Sequence, residues 1–372
     1  MLSKQKSTIS LILTLIFSIL ATLPAAAGLF QWSRLNRLIP QSGFEPSVTA
    51  IVTHPTDSRV IYAGTLRSTD NTNLIFKSVD GGVTWQPASN NLPNNLSQNT
   101  GVRDMVLRPD APTNLYAGLY REGVWLSLNG GQNWTNNSSG SIAANDTVHA
   151  LAIDPSQPGT IYALTSTGVH VSTKNGSWQA RSAGLPETSA TIFNDLTAHP
   201  PHSGLWLYAA TNPQGVYRST NGGMSWQPVN DGLPAQDLDV RGITVSSESG
   251  RIIASIVGQG LWRSDNQGDT WVRSDSGITY NSTLSGNVGV PIFSPVDGNV
   301  AYVYNNDGVF ASLDGGETWW PFNDGFTGAE TVAAMAFNAA DPNRVYAGTS
   351  ISGIWSQTVV PGGRFYVPVV IR

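Results

Sequence analysis

The sequence predicts an all-β protein assembled from repeated four-stranded sheets, and three observations lead to that prediction. A short motif ending in Trp recurs along the chain: 78-SVDGGVTW-85, 127-SLNGGQNW-134, 172-STKNGSW-178, 219-STNGGMSW-226, 264-SDNQGDTW-271 and 312-SLDGGETW-319. Its tryptophans lie 44 to 49 residues apart, which is the length of one β-propeller blade. The 38 glycines and 22 prolines suit many short strands joined by tight turns.

Each repeat contains the same four segments in the same order. An apolar strand leads, as in 102-VRDMVLRP-109, and a β-branched and aromatic strand follows it, as in 114-NLYAGL-119. A short third strand, such as 124-VWLS-127, enters the Asp-containing turn, and a fourth strand starts at the Trp. The leading strand occurs seven times, beginning near Val48, Val102, Val148, Phe193, Val240, Val288 and Val332. We therefore predict a seven-bladed β-propeller.

The N-terminal segment is predicted to close the ring. The Trp turn occurs only six times, because the seventh repeat reaches 353-GIWS-356 and then lacks it. Trp32 precedes Pro40 by the same offset that separates Trp85 from Pro93. The segment from Trp32 therefore supplies the outer strand of the last blade and leaves no open sheet edge there. In this position Arg37 belongs to the exit loop of that strand, which disfavours the alternative of a sialidase substrate arginine.

The Asp turns are predicted to be structural. Asp and Asn accept hydrogen bonds from nearby backbone N–H groups, and paired glycines supply positive φ angles. We assign this role to Asp80, Asn129, Asn221, Asn266 and Asp314, with the tryptophans Trp85, Trp134, Trp178, Trp226, Trp271 and Trp319 burying their rings beside them. A calcium loop would need alternating oxygen ligands and a distal Glu, which 265-DNQGD-269 lacks. His199 and His202 fall in a turn between strands, so we expect neither a metal nor a cofactor.

The chain ends are predicted to lie outside the propeller of residues 28–358. In residues 1–27, Lys4 and Lys6 precede an apolar run that ends before the sequence Ala25-Ala26-Ala27, which is the pattern of a secretion signal. The run is shorter than the ~20 residues of a membrane span, so we expect an exported protein without a span after cleavage, and an uncleaved anchor is the alternative. Residues 359–372 are expected to form an extra strand on the last blade or a cell-surface sorting signal.

Composition excludes several classes of function. The chain has no cysteine, which excludes disulfides, thiol catalysis and thiolate-bound metals. Its formal net charge is −5, whereas binding to nucleic acid needs a basic surface. We expect a monomer that binds no nucleic acid.

The motif S-x-D-x-G-x-T-W resembles the repeat of the Asp-box, or bacterial neuraminidase repeat, β-propellers. This superfamily includes sialidases, xyloglucanase-like glycoside hydrolases, sortilin-type receptors and photosystem II assembly factors. The resemblance implies the propeller fold, and it places the Asp boxes far from the ligand face. The single propeller is similar in architecture to the photosystem II assembly factors, which implies a scaffold without catalysis.

The channel mouth is the predicted binding face. Aligned inner strands place polar side chains there, namely Arg103, Asp104, His149, Asn194, Asp195 and Arg241. Long polar loops enter the same face, and loops on a rigid scaffold are where binding concentrates. The alternative is that these groups are solvated, or that arginine–carboxylate pairs tie neighbouring blades together.

The predicted function is noncatalytic binding of a protein or a polysaccharide at this face, outside the cytoplasm. One alternative is a glycoside hydrolase, which needs two carboxyl groups about 5–5.5 Å or 6.5–9.5 Å apart. Asp104 and Asp195 are the candidate catalytic pair, although they lie two blades apart. A sialidase would also need an arginine triad and a tyrosine, and the aligned inner strands offer only Arg103 and Arg241. The second alternative is a photosystem II assembly factor-like scaffold.

Overall fold

A computed structural model describes residues 31–39, 45–66, 73–93, 101–187, 191–199, 204–236, 238–279, 288–326 and 331–359. The described residues contain strands and turns and no helix, and so no helix long enough to cross a membrane. The proposed signal in residues 1–27 and most of the tail, residues 360–372, lie outside the described residues, as does His202. The predictions for these segments stay predictions.

The strands form seven antiparallel four-stranded sheets. Blade 1 contains β2 (Val48–Thr53), β3 (Ile61–Thr65), β4 (Ile75–Ser78) and β5 (Gln86–Pro87), and blade 2 contains β6 (Val102–Leu107), β7 (Leu115–Leu119), β8 (Gly123–Ser127) and β9 (Thr135–Asn136). Blade 3 contains β10 (Val148–Ile153), β11 (Thr160–Thr165), β12 (Gly168–Thr173) and β13 (Gln179–Ala180), and blade 4 contains β14 (Ile192–His199), β15 (Trp206–Asn212), β16 (Gly215–Ser219) and β17 (Gln227–Pro228). Blade 5 contains β18 (Val240–Val245), β19 (Ile252–Ile256), β20 (Gly260–Ser264) and β21 (Val272–Arg273), and blade 6 contains β22 (Ile292–Phe293), β23 (Ala301–Asn305), β24 (Gly308–Ser312) and β25 (Trp320–Pro321). Blade 7 contains β26 (Val332–Phe337), β27 (Arg344–Thr349), β28 (Ile354–Thr358) and the N-terminal β1 (Ser33–Arg34).

The predicted seven-bladed propeller and its closure by the N-terminal strand are confirmed. In blade 7 the order is β1-β28-β27-β26, with Ser33 paired to Ser356 and Arg34 paired to Trp355. Arg37 follows β1, the outermost strand, and its Nε lies 3.8 Å from the buried Glu45 carboxylate. Arg37 is therefore three strands from the inner strand β26, which rules it out as a channel residue.

Blades 2 to 7 are each tied to the preceding blade by the indole N–H of a tryptophan. The indole Nε1 of Trp134 donates to the Ala88 carbonyl at 2.8 Å, and that of Trp271 donates to the Val229 carbonyl at 2.8 Å. Trp32 donates in the same way to the Phe322 carbonyl of blade 6 at 2.8 Å. Trp32 thus takes the structural role of the missing seventh motif tryptophan.

The Asp turns satisfy their own polar groups. In the first turn Ser78 Oγ accepts the Gly82 N–H at 2.8 Å, while Asp80 accepts the Thr84 N–H at 2.8 Å and the Thr84 hydroxyl at 2.6 Å. The same hydrogen bond, from the backbone N–H four residues later to the side-chain oxygen, recurs at Asn129, Asn221, Asn266 and Asp314. Hydrogen bonds from the Thr84 side chain and backbone lower the pKa of Asp80 to about 2. These bonds account for the motif without a ligand.

Small residues on the second strands allow the blades to pack closely. A Cβ added at Gly64 would lie 2.6 Å from Val102 of the next blade, and one at Gly348 would lie 2.6 Å from Val48. These valines are fully buried. The core therefore consists of interfaces between blades, which hold the inner strands in a ring around the channel.

Candidate binding site at the channel mouth

Six of the seven inner strands present one bulged residue at the mouth. The register of six inner strands shifts near their start, after the first residue in five strands and after the second residue, Phe193, in β14. A bulge leaves its extra residue out of the ladder and turns its side chain to a new direction. The residues in this position are Thr49, Arg103, His149, Asn194, Arg241 and Ala333. Four of the six predicted binding residues thus occupy equivalent places around the ring.

Asp104 and Asp195 link each blade to the next blade. Asp104 Oδ1 accepts the N–H of Met105 at 2.7 Å, and its Oδ2 accepts the N–H of Leu151 in blade 3 at 2.8 Å. Asp195 repeats the arrangement with its own strand and with Ile243 of blade 5, at 2.8 and 2.9 Å. Both oxygens of each candidate catalytic carboxylate are therefore engaged by backbone donors.

The environment of these two carboxyl groups favours the protonated form. Burial raises the pKa of Asp104 to about 7, and the negative charge of Asp195 adds to this shift. Burial also raises the pKa of Asp195 to about 6. Groups with pKa values in this range can carry a proton at neutral pH, as a general acid must.

The polar side chains of blades 4 and 5 are paired with each other. Asn194 Nδ2 donates to the Val240 carbonyl at 2.7 Å and to Asp239 Oδ1 at 3.1 Å. The Arg241 guanidinium forms an ion pair with Asp239 at 3.3 Å. This part of the mouth agrees with the alternative that its polar groups tie the blades together.

Blades 2 and 3 present a cationic and aromatic group at the mouth. The guanidinium of Arg103 lies 5.0 Å from the ring centroid of Tyr120, and that of Arg121 lies 5.3 Å from the same centroid. Both arginines are exposed, and neither forms an ion pair with any residue that the structure describes. Burial lowers the pKa of the neighbouring His149 to about 4, and the positive charge of Arg103 contributes to the shift. We call Arg103, Tyr120 and Arg121 the arginine–tyrosine cluster.

Sequence reasoning missed two members of this cluster. Tyr120 and Arg121 lie at the hairpin between β7 and β8, whereas the alignment considered only the inner strands. The signal available in the sequence was the Tyr-Arg-Glu run directly after 114-NLYAGL-119. The second strand and its hairpin end at the same face as the start of the inner strand.

Tyr304 also reaches the ring from a second strand. It stands in blade 6 where blades 1, 2 and 7 have glycine, and its hydroxyl donates to the Ala333 carbonyl of blade 7 at 2.8 Å. A Cβ at Gly289 would overlap its ring. Burial raises its pKa to about 12, and the negative charge of Asp195 adds to the shift. The expectation from the inner strands missed this tyrosine, whose hydroxyl is held by the backbone.

Among the described residues, no charged side chain lines the channel towards the other end of the inner strands. A cavity of about 400 Å³ lies there, and its lining includes Val52, Val106, Ala152, Thr197, Ala336 and Phe337. The charged groups of the ring are therefore concentrated at the mouth.

Sequence relatives of the chain are xyloglucanases. The xyloglucanase of a Paenibacillus species is 28% identical over 64% of this chain and 23% of the relative. The oligoxyloglucan-reducing end-specific xyloglucanase of Emericella nidulans is 26% identical over 55% of this chain and 28% of the relative. The xyloglucanase of Hypocrea jecorina is 23% identical over 94% of this chain and 43% of the relative. The chain thus spans less than half the length of these relatives, and no protein-family model matches it.

Solved structures share the propeller fold. The structure of YCF48 bound to D1 peptide has a TM-score of 0.62 at 14% identity, covering 91% of this chain and 98% of that chain. The GH74 xyloglucanase from Xanthomonas campestris has a TM-score of 0.64 at 19% identity, covering 88% of this chain and 53% of that chain. The architecture that they share with this chain is the β-propeller, which has seven blades here.

Proposed function

We propose that this propeller binds a polysaccharide of the xyloglucan type across its channel mouth, as one unit of a glycoside-hydrolase-like protein that acts outside the cytoplasm. The observation that carries the proposal is the arginine–tyrosine cluster, whose exposed hydrogen-bond donors surround an aromatic ring. The xyloglucanase relatives favour a polysaccharide over a protein as the ligand.

The chemistry of the cluster suits a sugar ligand. A guanidinium carries five N–H donors in one plane, and sugar hydroxyls and ring oxygens accept hydrogen bonds. The backbone of the hairpin is fixed, because the Tyr120 N–H donates to the Gly101 carbonyl at 3.1 Å and the Arg121 N–H donates to Thr147 Oγ1 at 3.2 Å. Donors held in place before binding lose less entropy when the ligand arrives.

Hydrolysis is the second candidate, and the raised pKa values of Asp104 and Asp195 favour it. A carboxyl group with a pKa near 6 to 7 suits the acid of a glycosidase. The backbone hydrogen bonds that both carboxylates accept also give them a structural role. This chain spans less than half the length of its curated relatives. The proposal of hydrolysis therefore includes a second propeller that would complete the substrate cleft.

The experiment measures binding and hydrolysis on the same panel, which contains xyloglucan, cellulose, xylan and sialosides. Arg103→Ala is expected to weaken polysaccharide binding about tenfold, because it removes a charged hydrogen-bond donor. Arg59→Gln is the matched control, since Arg59 pairs with Asp57 at 3.0 Å in the turn at the far end of the inner strand. Binding that is equal in both variants, or absent from the whole panel, contradicts the proposal.

The variants Asp104→Asn and Asp195→Asn test whether the channel mouth catalyses hydrolysis. Turnover that either variant loses, at unchanged binding, supports catalysis at the mouth. Binding without turnover leaves a polysaccharide-binding propeller. Specific binding of a peptide in place of any glycan favours the scaffold alternative.

A further inference from the structure

Arg121 has a backbone conformation that is energetically unfavourable for any residue with a Cβ. Its φ angle is 58°, which is in the left-handed region where residues with a Cβ are uncommon. The equivalent hairpin position in blade 5 is Gly258, with a φ of 71°. An arginine thus stands where the same turn elsewhere in the molecule has glycine. A strained residue that the fold does not require is a reason to look for a function.

The strained position places Arg121 at the same aromatic ring as Arg103. Both guanidiniums lie over the Tyr120 ring, at 5.0 and 5.3 Å from its centroid. Two like charges at one ring repel each other unless an anion or the ring compensates them. Among the described residues no carboxylate lies within ion-pair distance of either arginine, whereas Arg241 on the same mouth is paired with Asp239.

The positive charge of Arg103 also acts on the neighbouring His149. His149 occupies the bulge position of blade 3, next to Arg103 in blade 2, and the charge of Arg103 contributes to the low pKa of His149. This local positive field stands out in a chain whose formal net charge is −5. A densely charged polyanion would be repelled by the rest of the molecule, while a single carboxylate would be attracted to the cluster.

We propose that the arginine–tyrosine cluster binds a carboxylate carried by a sugar, so that the polysaccharide contains acidic residues of the uronic acid class. The inference rests on the proposed function and specifies its substrate. Guanidinium groups match a carboxylate with two parallel N–H donors, and such charge-assisted bonds are stronger than neutral ones. The glycan is favoured over an acidic peptide because the curated relatives act on polysaccharides.

The test compares two polymers that differ only in charge. One is neutral xyloglucan, and the other is the same xyloglucan with a small fraction of its primary hydroxyls oxidised to carboxylates. The wild-type chain is expected to bind the oxidised polymer about tenfold more tightly, with a preference that falls as salt is added. Arg103→Gln and Arg121→Gly are expected to abolish the preference, and Arg59→Gln is expected to keep it.

Arg121→Gly separates function from folding. Because glycine is compatible with the positive φ angle, this variant is expected to be at least as stable as the wild type while the preference is lost. Equal affinity of the wild type for both polymers overturns the inference and leaves the proposed function intact. If the double variant that carries both Arg103→Gln and Arg121→Gly still prefers the oxidised polymer, the inference is also overturned.

Absence of binding to both polymers would overturn the proposed function. A second measurement tests the inference separately in that case. The His149 imidazole is titrated by NMR in the presence of glucuronate, glucose or a short peptide with a free carboxylate. A carboxylate beside Arg103 offsets its charge, so glucuronate is expected to raise the pKa of His149 and glucose to leave it unchanged. No effect of glucuronate overturns the inference, and a peptide that acts at lower concentration contradicts the sugar assignment.

Discussion

At the residue scale, the two channel-mouth aspartates combine a structural and a titratable character. Asp104 and Asp195 each accept one N–H from their own strand and one from the next blade. Each carboxylate thereby stabilises the bulge that orients the side chain of the preceding residue at the channel mouth. The raised pKa values show that burial of these groups outweighs the hydrogen bonds they accept.

The pKa of Asp104 predicts the pH dependence of stability. The folded-state pKa of about 7 exceeds the ordinary aspartate value of 3.8, so the folded state holds the proton more tightly. Its contribution to stability is therefore fully present below about pH 4 and is lost as the pH rises through 7. We expect the free energy of unfolding of the wild type to fall relative to that of Asp104→Asn over this range, by at least about 1 kcal/mol. Denaturation with urea at pH 4.5 and pH 8 measures the change, and a constant difference would contradict the raised pKa.

The Asp turn predicts a loss of stability without a loss of binding. Asp80→Ala removes the acceptor of the Thr84 backbone and hydroxyl groups, so we expect a lower melting temperature. The pKa of Asp80 is held at about 2 by these bonds, so its contribution is present above about pH 4 and is lost as the pH falls towards 2. Calorimetry of both proteins at pH 7 and pH 2.5 tests this, with affinity for the polysaccharide as the control. Weakened binding at an unchanged melting temperature would contradict a structural role.

At the element scale, the stability of the propeller resides in contacts between neighbouring blades. The motif tryptophans illustrate this, because their indole N–H groups donate to carbonyls of the preceding blade. Trp85 is the exception, since its buried Nε1 has no hydrogen-bond partner among the described residues. Its preceding blade is blade 7, where the chain closes through β1.

This exception provides a matched pair of variants. Trp134→Phe removes the bond to the Ala88 carbonyl, whereas Trp85→Phe removes no described bond. Both rings are buried, so the change in packing is similar. We expect Trp134→Phe to lower the free energy of unfolding by about 1 kcal/mol more than Trp85→Phe. Equal losses in chemical denaturation would show that the indole bonds contribute nothing.

Close packing at the second strands predicts a severe effect of one methyl group. A Cβ at Gly118 would overlap the Val148 side chain of the next blade. We expect Gly118→Ala to destabilise the protein by about 1–3 kcal/mol, the usual cost of overpacking. Gly159→Ala is a suitable control, because a Cβ at Gly159 would lie 3.4 Å from the end of a flexible arginine side chain. Similar melting temperatures of the two variants would contradict the proposed packing.

At the scale of the whole molecule, ring closure depends on residues at opposite ends of the chain. Trp32 is buried, bonds to Phe322 and stacks on Phe326 with ring centroids 5.0 Å apart. We expect Trp32→Ala to lower the free energy of unfolding by about 3–5 kcal/mol and to expose the edge of β28 to pairing with other chains. Chemical denaturation and sedimentation measure the two effects, with Val79→Ala on the surface as the control. A monomer of wild-type stability would contradict closure by β1.

The fold was predictable from the sequence because its signals are local and repeated. Each motif fixes a turn, the spacing fixes the blade, and the single unmatched Trp32 fixes the closure. The site was predictable only in part. Arg103 and His149 follow from strand alignment, but the contact of Arg121 with Tyr120 depends on a positive φ angle at a hairpin. The use of both Asp104 oxygens depends on the bulge register between two blades, which the alternation of residue types does not reveal.

The central claim is that the channel mouth binds a polysaccharide through the arginine–tyrosine cluster, and the most direct test is a calorimetric titration with xyloglucan. The wild type and Arg59→Gln are compared with Arg103→Ala at pH 7 and low salt. We expect saturable binding by the first two proteins and an affinity about tenfold lower for Arg103→Ala, at an unchanged melting temperature. Equal affinities in all three proteins, or no binding by the wild type, would contradict it.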